Sequence, residues 1–496
     1  MNTLNFEKAA ATESQTWRNL LPPEPWLHVV GEHPLKFGDY ARLRLEAGVP
    51  NAPSVVTRAR KPHQQTRPVP VVGIPERIAY RALCDHILAA KQPVDRSPNA
   101  YQKFITGPIL AAFDGQGFRR RLSNVTTQYV VESDITAFYE YVDHSRLLAE
   151  LQLRTSTVEL PRYLIQLLTE IQGRPFGLPQ LLDPSDELSE VYVRIIEREL
   201  RRRGINVWRY NDDFRVTADV YDEAQAYLEA LAHEAGVVGL VLNERKTRIT
   251  KFKRYFWKYW GEAPSEGDVE FKPELITITS DYGEMDADAL ASVAHETLTR
   301  LEAAPGMPDH LDLANLSSDD NYSLRRAIGI LTAQADPAGL AHVARLFEYA
   351  PHLSHRLGTY LVTLHKSGTD VGSTWDMLVT RSAVYNAWQR VWLAYVARVS
   401  KLLTDSTRHA WVQAQRAAAD PLLRAEATLA LAPHRLASFD EIDRAVRTEP
   451  EALLPWYALA ARAIPNVNQS RLQALKESHG LIDILLHKVS QETQND

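Results

Sequence analysis

Three aspartates, Asp134, Asp212 and Asp213, are the side chains of this sequence whose types and spacing best suit metal chemistry. Asp212 and Asp213 are adjacent, and both flanking segments have the composition of β-strands. Neighbouring carboxylates repel each other, so a strand–turn–strand segment rarely keeps such a pair unless a cation neutralises it. Asp134 ends another candidate strand earlier in the chain. The pattern predicts a site for hard divalent cations.

The segments that must position these aspartates follow one another in a definite order. A short strand ends at Asp134, and a loop over residues 177–180 opens a helical pattern over residues 185–203. The acidic pair comes next, followed by a second helical pattern over residues 222–235 and a glycine-led segment over residues 239–247. Strand and helix periodicities alternate in this part of the chain, which predicts an α+β unit.

This order resembles the palm of template-copying polymerases, and of reverse transcriptases in particular, over residues 55–255. The resemblance implies a right-hand fingers and palm fold and nucleotidyl transfer with two Mg²⁺ ions, or Mn²⁺ in their place. It implies Asp134, Asp212 and Asp213 as catalytic metal ligands, with the backbone carbonyl of Ile135 as a further ligand. Lys246 is implied as a proton donor to departing pyrophosphate, and an exposed surface lysine is the alternative.

An aromatic pair follows the first aspartate. Tyr139 comes five positions after Asp134. In reverse transcriptases a bulky aromatic at this position packs under the sugar and excludes a 2′-hydroxyl, so the resemblance implies deoxynucleotide substrates. Phe138 is the neighbouring candidate for core packing, and the two roles could be exchanged by a shift of one position.

The loop before the first helix carries Gln180, which the resemblance places in the nucleotide and template pocket. Leu181 and Leu182 follow it, where most reverse transcriptases have small residues. We expect them to change how the backbone approaches the base pair. Asn211 in the acidic loop is a second departure, since viral reverse transcriptases carry apolar residues there.

A basic region precedes the first aspartate. Residues 42–121 contain 14 Lys or Arg and 5 Asp or Glu, a balance of +9 in a chain whose net charge is −6. Such a concentration is typical of phosphate binding. Within it, residues 61–78 resemble the fingers of bacterial reverse transcriptases, which implies that Lys61 and Arg67 contact the incoming triphosphate. A solvated basic hairpin is the alternative interpretation.

From about residue 280 the strand patterns fade and helical periodicity takes over. Ala-Asp-Pro turns at residues 335–337 and 419–421 are typical helix openers. Their offset of 84 residues is twice the period of HEAT-like helical repeats. We therefore expect two domains: fingers and palm over residues 1–275, and an all-α HEAT-like repeat domain over residues 276–496.

Composition limits the remaining classes of protein. The chain has 496 residues, of which 45% are hydrophobic and 24% charged, as in globular proteins. A single cysteine, Cys84, excludes an internal disulfide framework and a cysteine-rich zinc nuclease. The sequence shows neither a long apolar run nor a signal-like N-terminus, so we expect a cytoplasmic protein without membrane contact.

A palm followed directly by a long helical domain resembles the bacterial defence reverse transcriptases, which include the abortive-infection group and its uncharacterised relatives. The resemblance implies dNTP substrates, a DNA product and a role against phage. Synthesis is untemplated and protein-primed in one branch, and templated by a noncoding RNA in sister groups. Related enzymes form rings or trimers, which implies a homo-oligomer. The alternatives are a ribonucleotide polymerase and a catalytically silent nucleic-acid-binding scaffold.

Overall fold

The computed structural model describes residues 3–16, 20–62, 65–90, 94–113, 122, 125–155, 158–260, 287–303, 307, 310–313 and 315–487. The chain divides into two compact units. The first contains Met1–Ala82 and Glu284–Asp496, and the second contains Leu83–Gly283. The predicted domain boundary between residues 275 and 276 lies outside the described residues and stays a prediction.

The strands and the first ten helices follow one another in chain order. They are α1 (Phe6–Gln15), α2 (Leu27–Glu32), α3 (Pro34–Glu46), β1 (Val55–Arg60), β2 (Thr66–Val71), α4 (Ile74–Ile87), α5 (Pro98–Ala112), β3 (Tyr129–Asp134), α6 (His144–Gln152), α7 (Glu159–Gln172), α8 (Asp183–Arg202), β4 (Val207–Tyr210), β5 (Asp213–Ala218), α9 (Tyr221–Val237), β6 (Arg248–Lys251) and α10 (Phe252–Trp260).

The described residues after position 286 form helices and short 3-10 turns. The helices are α11 (Ala287–Glu302), α12 (Ser318–Gln334), α13 (Leu340–Tyr349), α14 (Ser354–Lys366), α15 (Gly372–Thr380), α16 (Ala387–Val399), α17 (Ser406–Gln415), α18 (Pro421–Leu431), α19 (Phe439–Thr448), α20 (Leu454–Ala463), α21 (Gln469–Ser478) and α22 (Gly480–Leu485). The predicted combination of an α+β part and a predominantly helical C-terminal part is confirmed.

The second unit is built on an antiparallel sheet with the strand order β4-β5-β3-β6. Helix α9 packs on β3 and β5, whereas α5 packs on β4 and β5. Behind the sheet, Val130 joins an apolar cluster with Ile109 of α5 and the aromatic residues Phe252 and Phe256 of α10. These packed layers fix the ends of β3 and β5, where the three aspartates lie.

A buried carboxylate joins the sheet's last strand to its centre. The Glu132 side chain in β3 is only 3% exposed and accepts hydrogen bonds from Nε and Nη2 of Arg248 in β6, at 2.9 and 3.0 Å. Thr250 Oγ1 donates to the same carboxylate at 3.0 Å. Although burial opposes it, these bonds and the nearby cations lower the pKa of Glu132. The ionised group therefore holds β6 in register with β3.

In the first unit, consecutive helices from α11 to α22 pair as hairpins. The second helix of each pair also packs on that of the next, in the series α12, α14, α16, α18, α20 and α22. Asp336 and Asp420 cap the helical segments that follow the two Ala-Asp-Pro turns, as predicted. The pairing is compatible with HEAT-like repeats, which stay a prediction.

The N-terminal segment belongs to the same unit as these helices. Strand β1 packs on α16 and α18, and Thr57 Oγ1 donates to Asp420 Oδ2 at 3.0 Å. Trp392 Nε1 in α16 donates to the carbonyl of Leu20 at 3.1 Å. Residues of the N-terminal segment therefore cover part of the layer formed by the second helices of the hairpins. None of the helices in the described ranges has the length and hydropathy needed to cross a membrane.

Candidate active site

The three predicted aspartates meet at one end of the palm sheet. Strands β3 and β5 pair so that Asp134 lies opposite Asp213, and Asp212 precedes Asp213 in the β4–β5 turn. Each side chain offers a carboxylate oxygen, and these three oxygens lie within 4.8 Å of one another. The Asp134 residue is 5% exposed, whereas Asp212 and Asp213 are half-buried. Asp134, which lies far from Asp212 and Asp213 in the sequence, thus forms one acidic cluster with them.

The turn that presents Asp212 explains a residue that looked unusual in the sequence. Tyr210 pairs with Asp213, so Asn211 and Asp212 are the two residues of a tight hairpin turn. Asn211 has φ 53°, in the left-handed region that asparagine tolerates better than most residues with a side chain. The backbone conformation of the turn therefore explains why an asparagine occupies this position.

The electrostatics of the cluster favour a bound cation. Burial, with the charges of Asp134 and Asp213 nearby, raises the pKa of Asp212 to about 6. Burial and the Asp134 carboxylate also raise the pKa of Asp213. Both shifts mean that ionising the cluster is costly until positive charge arrives. Three converging carboxylates supply the hard oxygen ligands that Mg²⁺ and Mn²⁺ prefer, so these residues could hold a divalent metal ion.

Two side chains from the segment after α9 contact the first aspartate. Lys246 Nζ lies 3.1 Å from Asp134 Oδ2, and Asn243 Nδ2 donates to the same oxygen at 3.2 Å. Burial lowers the pKa of Lys246, but the three carboxylates outweigh this effect and raise it overall. Lys246 is therefore protonated and partly balances the acidic cluster. The sequence pattern identified Lys246, whereas Asn243 lay in the same segment without an assigned role.

Backbone hydrogen bonds lock these segments together. The Ile135 N–H donates to the Asp212 carbonyl at 3.2 Å, and the Asn243 N–H donates to the Asp134 carbonyl at 2.7 Å. Ile135 also forms an isolated bridge with Leu242. The acidic turn and the Lys246 segment are thus fixed on either side of β3. The Ile135 side chain is buried, and its carbonyl as a metal ligand stays a prediction.

Tyr139 is tied to helix α8 through its hydroxyl. It donates to Asp186 Oδ1 at 2.7 Å and accepts from Arg96 Nη2 at 3.0 Å. Arg96 Nη1 lies 3.3 Å from the same Asp186 oxygen, and Ser189 Oγ donates to the phenol at 3.3 Å. Burial, with the Asp186 charge nearby, raises the pKa of Tyr139 to about 12, so the phenol stays neutral. Sequence spacing gave no signal for these partners.

The structure separates the two aromatic residues that sequence spacing could not. Phe138 is 3% exposed and lies in the core, whereas Tyr139 is half-buried. Ala137 adopts φ 49° just before the 3-10 turn Phe138–Glu140, which directs the chain away from β3. Contact of either ring with a nucleotide stays a prediction.

Gln180 is half-buried in the loop that leads into α8. Its neighbour Leu181 has φ 66°, a left-handed conformation that a glycine would adopt without strain. Pro184 lies in the first turn of α8, and Ser185 Oγ donates to the Pro179 carbonyl at 2.5 Å, closing the loop. The sequence thus places a leucine where the backbone favours glycine, and the nucleotide-pocket role of Gln180 stays a prediction.

Lys61 and Arg67 lie in the β1–β2 hairpin of the first unit. The Lys61 N–H donates to the Gln65 carbonyl at 2.7 Å, closing the hairpin. The aspartates belong to the second unit, and each unit is described by itself. Triphosphate contact by Lys61 and Arg67 therefore stays a prediction.

Part of the basic charge before the first aspartate is structural. Arg77 and Arg81 of α4 are buried and form ion pairs with Glu13 of α1, and Arg77 also pairs with Glu24 at 2.7 Å. Arg44 pairs with the buried Glu76. These arginines join segments of the first unit, so they do not belong to a phosphate-binding surface, and the prediction does not hold for the whole basic region.

One protein family and one solved structure are similar to parts of this chain. Residues 59–261 match the family model described as reverse transcriptase (RNA-dependent DNA polymerase). A solved structure of telomerase from Candida albicans, in complex with a TWJ fragment of telomeric RNA, is similar at 9% sequence identity and a TM-score of 0.32. That match covers 70% of this chain and 66% of the telomerase chain, just under two thirds of its length. No curated protein matches the chain. Residues 59–261 are thus similar to the reverse transcriptases, the family of RNA-dependent DNA polymerases.

Proposed function

We propose that this chain is a metal-dependent DNA polymerase that adds deoxynucleotides by two-metal nucleotidyl transfer. The convergence of the Asp134, Asp212 and Asp213 oxygens within 4.8 Å is the observation that carries this proposal. A purely structural role would not favour three mutually repelling carboxylates at a strand end. The raised pKa values of Asp212 and Asp213 support a site that gains from a cation.

In this proposal Asp134 and Asp212 would hold the divalent cations, with Asp213 as the supporting second carboxylate of the pair. The bound Mg²⁺ ions would activate the attacking 3′-hydroxyl and neutralise charge on the triphosphate. Lys246 carries its proton 3.1 Å from Asp134 and can deliver it to the departing pyrophosphate oxygen. Asn243 holds the Asp134 carboxylate in place through its 3.2 Å hydrogen bond.

Tyr139 selects the sugar in this proposal. A ring under the sugar leaves no room for a 2′-hydroxyl, and the bonds to Asp186 and Arg96 keep that ring from moving aside. Because the phenol stays neutral across the working pH range, this selection should not depend on pH.

We further propose that the polymerase acts in antiphage defence, as the resemblance to bacterial defence reverse transcriptases implies. The support is a reverse transcriptase domain followed by a predominantly helical region. Priming by a protein hydroxyl without a template and copying of a noncoding RNA are the two modes that fit. Homo-oligomer formation belongs to the same proposal.

The test is incubation of the purified protein with Mg²⁺ and each labelled dNTP or rNTP separately, with no added template. Products are separated on denaturing gels before and after protease treatment. Label that stays with protein until proteolysis supports the protein-primed mode, and activity that needs co-purified RNA supports the templated mode. Incorporation of rNTPs alone would favour a ribonucleotide polymerase.

A phage-plating assay tests the biological part of the proposal. Cells expressing the D212N/D213N double variant should lose protection, because the metal ligands are gone. The matched control is D222N, which changes an exposed aspartate in the first turn of α9 and leaves the cluster intact. Protection retained by the double variant would favour the scaffold interpretation.

A further inference from the structure

A groove of about 880 Å³ lies in the second unit, and none of the three aspartates of the acidic cluster lines it. Its walls are the C-terminal half of α8, one face of α5 and the edge strand β4. We call it the arginine groove and define it by its principal side chains. These are Lys103, Arg194, Arg198, Arg201, Arg202 and Trp208.

The amphipathic character of α8 creates the arginine side of the groove. Leu188, Tyr192, Ile196 and Leu200 recur every four residues and are fully buried. The opposite face carries Arg194, Arg198, Arg201 and Arg202, whose side chains are 52, 39, 62 and 66% exposed. Arg194 and Arg201 are seven residues apart, or about 10.5 Å along the helix axis. The groove therefore presents a row of solvated guanidinium groups.

The carboxylates that form ion pairs with the arginines of this groove do not balance them. Each is shared by two arginines: Glu150 by Arg154 and Arg198, Glu190 by Arg194 and Arg209, Glu197 by Arg201 and Arg209, and Glu199 by Arg198 and Arg202. Six arginines thus share four carboxylates, and Lys103 on α5 adds another positive charge. The balance of these side chains is +3, which favours an anionic ligand.

An aromatic ring lies in the same groove. Trp208 is half-buried on β4, and its indole lies directly over Gly107 of α5. A Cβ atom at Gly107 would come within 2.3 Å of the indole, so a larger residue would displace the ring. Arginine rows beside an aromatic platform are the combination that binds single-stranded nucleic acid, because phosphates pair with the arginines while a base stacks.

We propose that the arginine groove binds a single strand of RNA or DNA, with Arg201 and Arg202 on its phosphates and Trp208 stacked on a base. The choice of a nucleic acid over an acidic protein rests on the proposed polymerase function and on the indole beside the arginines. Strand β4 forms one wall of the groove and leads at Tyr210 into the turn that carries Asp212. A nucleic-acid strand bound in this groove would be held by the polymerase outside its metal site.

The test is fluorescence anisotropy with labelled 20-nucleotide single strands, one RNA and one DNA of the same sequence, in EDTA and at several salt concentrations. The R201E/R202E variant should bind at least tenfold more weakly, and its salt slope should fall by about 1.4, which corresponds to two lost phosphate contacts on a single strand. W208L should weaken binding about fivefold with the slope unchanged. The control is R447E, which reverses an equally exposed arginine of an i,i+4 pair in α19.

Thermal unfolding accompanies each measurement, and K103E supplies a charge reversal on α5 if the double variant fails to fold. A preference for RNA would identify a template or noncoding RNA as the occupant, and a preference for DNA the product; both support the groove. Wild-type affinity and salt slope in folded R201E/R202E and K103E would overturn it. Displacement of the strands by a polyglutamate 20-mer as effectively as by unlabelled strand would also overturn it. Binding in EDTA needs no catalysis, so failure of nucleotide incorporation in Mg²⁺ would be a separate result.

Discussion

Removal of the Asp212 charge should stabilise the metal-free protein while abolishing its proposed activity. Asp212 lies within 4.8 Å of two other carboxylates, and its pKa is raised to about 6 by burial and by their charges. Asparagine has nearly the same shape and no charge. The D212N variant should therefore relieve the repulsion between carboxylates that a bound cation would neutralise in wild type.

The size of the effect follows from linkage. The unfolded carboxyl has its ordinary pKa of 3.8, and the folded one titrates near 6. The folded state therefore binds more protons between these values, so the free energy of unfolding falls as pH rises from about 4 to 6 and stays low above that. A shift of about two units corresponds to about 3 kcal/mol. In EDTA at pH 7, D212N should gain up to that amount and lose most of this pH dependence.

The assay is urea unfolding at pH 4.5 and pH 7, in EDTA and then in excess Mg²⁺. Wild type should gain stability from Mg²⁺, by about 2.7 kcal/mol at a concentration 100 times the dissociation constant, whereas D212N should gain much less. D222N is the matched control and should cost at most about 1 kcal/mol, from the lost interaction with the helix dipole. The reasoning fails if D212N is no more stable than wild type in EDTA, or if Mg²⁺ stabilises both equally.

Four further predictions, with six substitutions, test other parts of the structure. Y139A should raise the use of rNTP relative to dNTP at least tenfold, on the order of 1.4 kcal/mol. D186A should raise this ratio less, because the Tyr139 ring remains and loses only its hydrogen-bond partner. Competition between labelled dNTP and rNTP measures the ratio for each variant. K246M should lower the single-turnover rate of nucleotide addition on the order of 10²-fold, because a positioned proton donor is lost; an unchanged rate would identify an ordinary surface lysine. L181G should leave the free energy of unfolding within about 1 kcal/mol of wild type, because released backbone strain offsets glycine's entropy cost, whereas L181V should lower it more, as a branched side chain is poorly tolerated at φ 66°. E13Q should lower the free energy of unfolding by about 3–5 kcal/mol, because two buried arginines lose their shared carboxylate; a loss under 1 kcal/mol in urea unfolding would contradict this.

The acidic cluster could be predicted from sequence because its positions follow from local rules. A strand that ends at Asp134 and a tight turn that holds Asp212 need only pair once to bring the carboxylates together. The order of the flanking helices then selects a known arrangement. Lys246 could be predicted in the same way from the order of the segments. Its segment lies beside β3, where the Asn243 N–H donates to the Asp134 carbonyl.

Contacts between distant side chains could not be predicted in this way. Tyr139 contacts Asp186 of α8 and Arg96, which precedes α5, and no spacing in the sequence encodes these contacts. The conformation of Leu181 was also hidden. Leucine at a left-handed position gives no sequence signal, although its departure from the family's small residues marked the loop as unusual.

Net charge along the sequence does not show which cationic side chains the fold leaves exposed. Residues 42–121 have a balance of +9, yet Arg77 and Arg81 are buried in ion pairs that hold α4 to α1. Helix α8 has six acidic and four basic residues and attracted no attention. In the folded chain, however, neighbouring arginines share three of these carboxylates, Glu190, Glu197 and Glu199, and the exposed guanidinium groups line one groove. Anion binding depends on the net positive charge that remains on one surface after ion pairs have formed. An arginine that is buried in an ion pair offers little to a phosphate. A carboxylate shared by two exposed arginines, in contrast, neutralises only one of them.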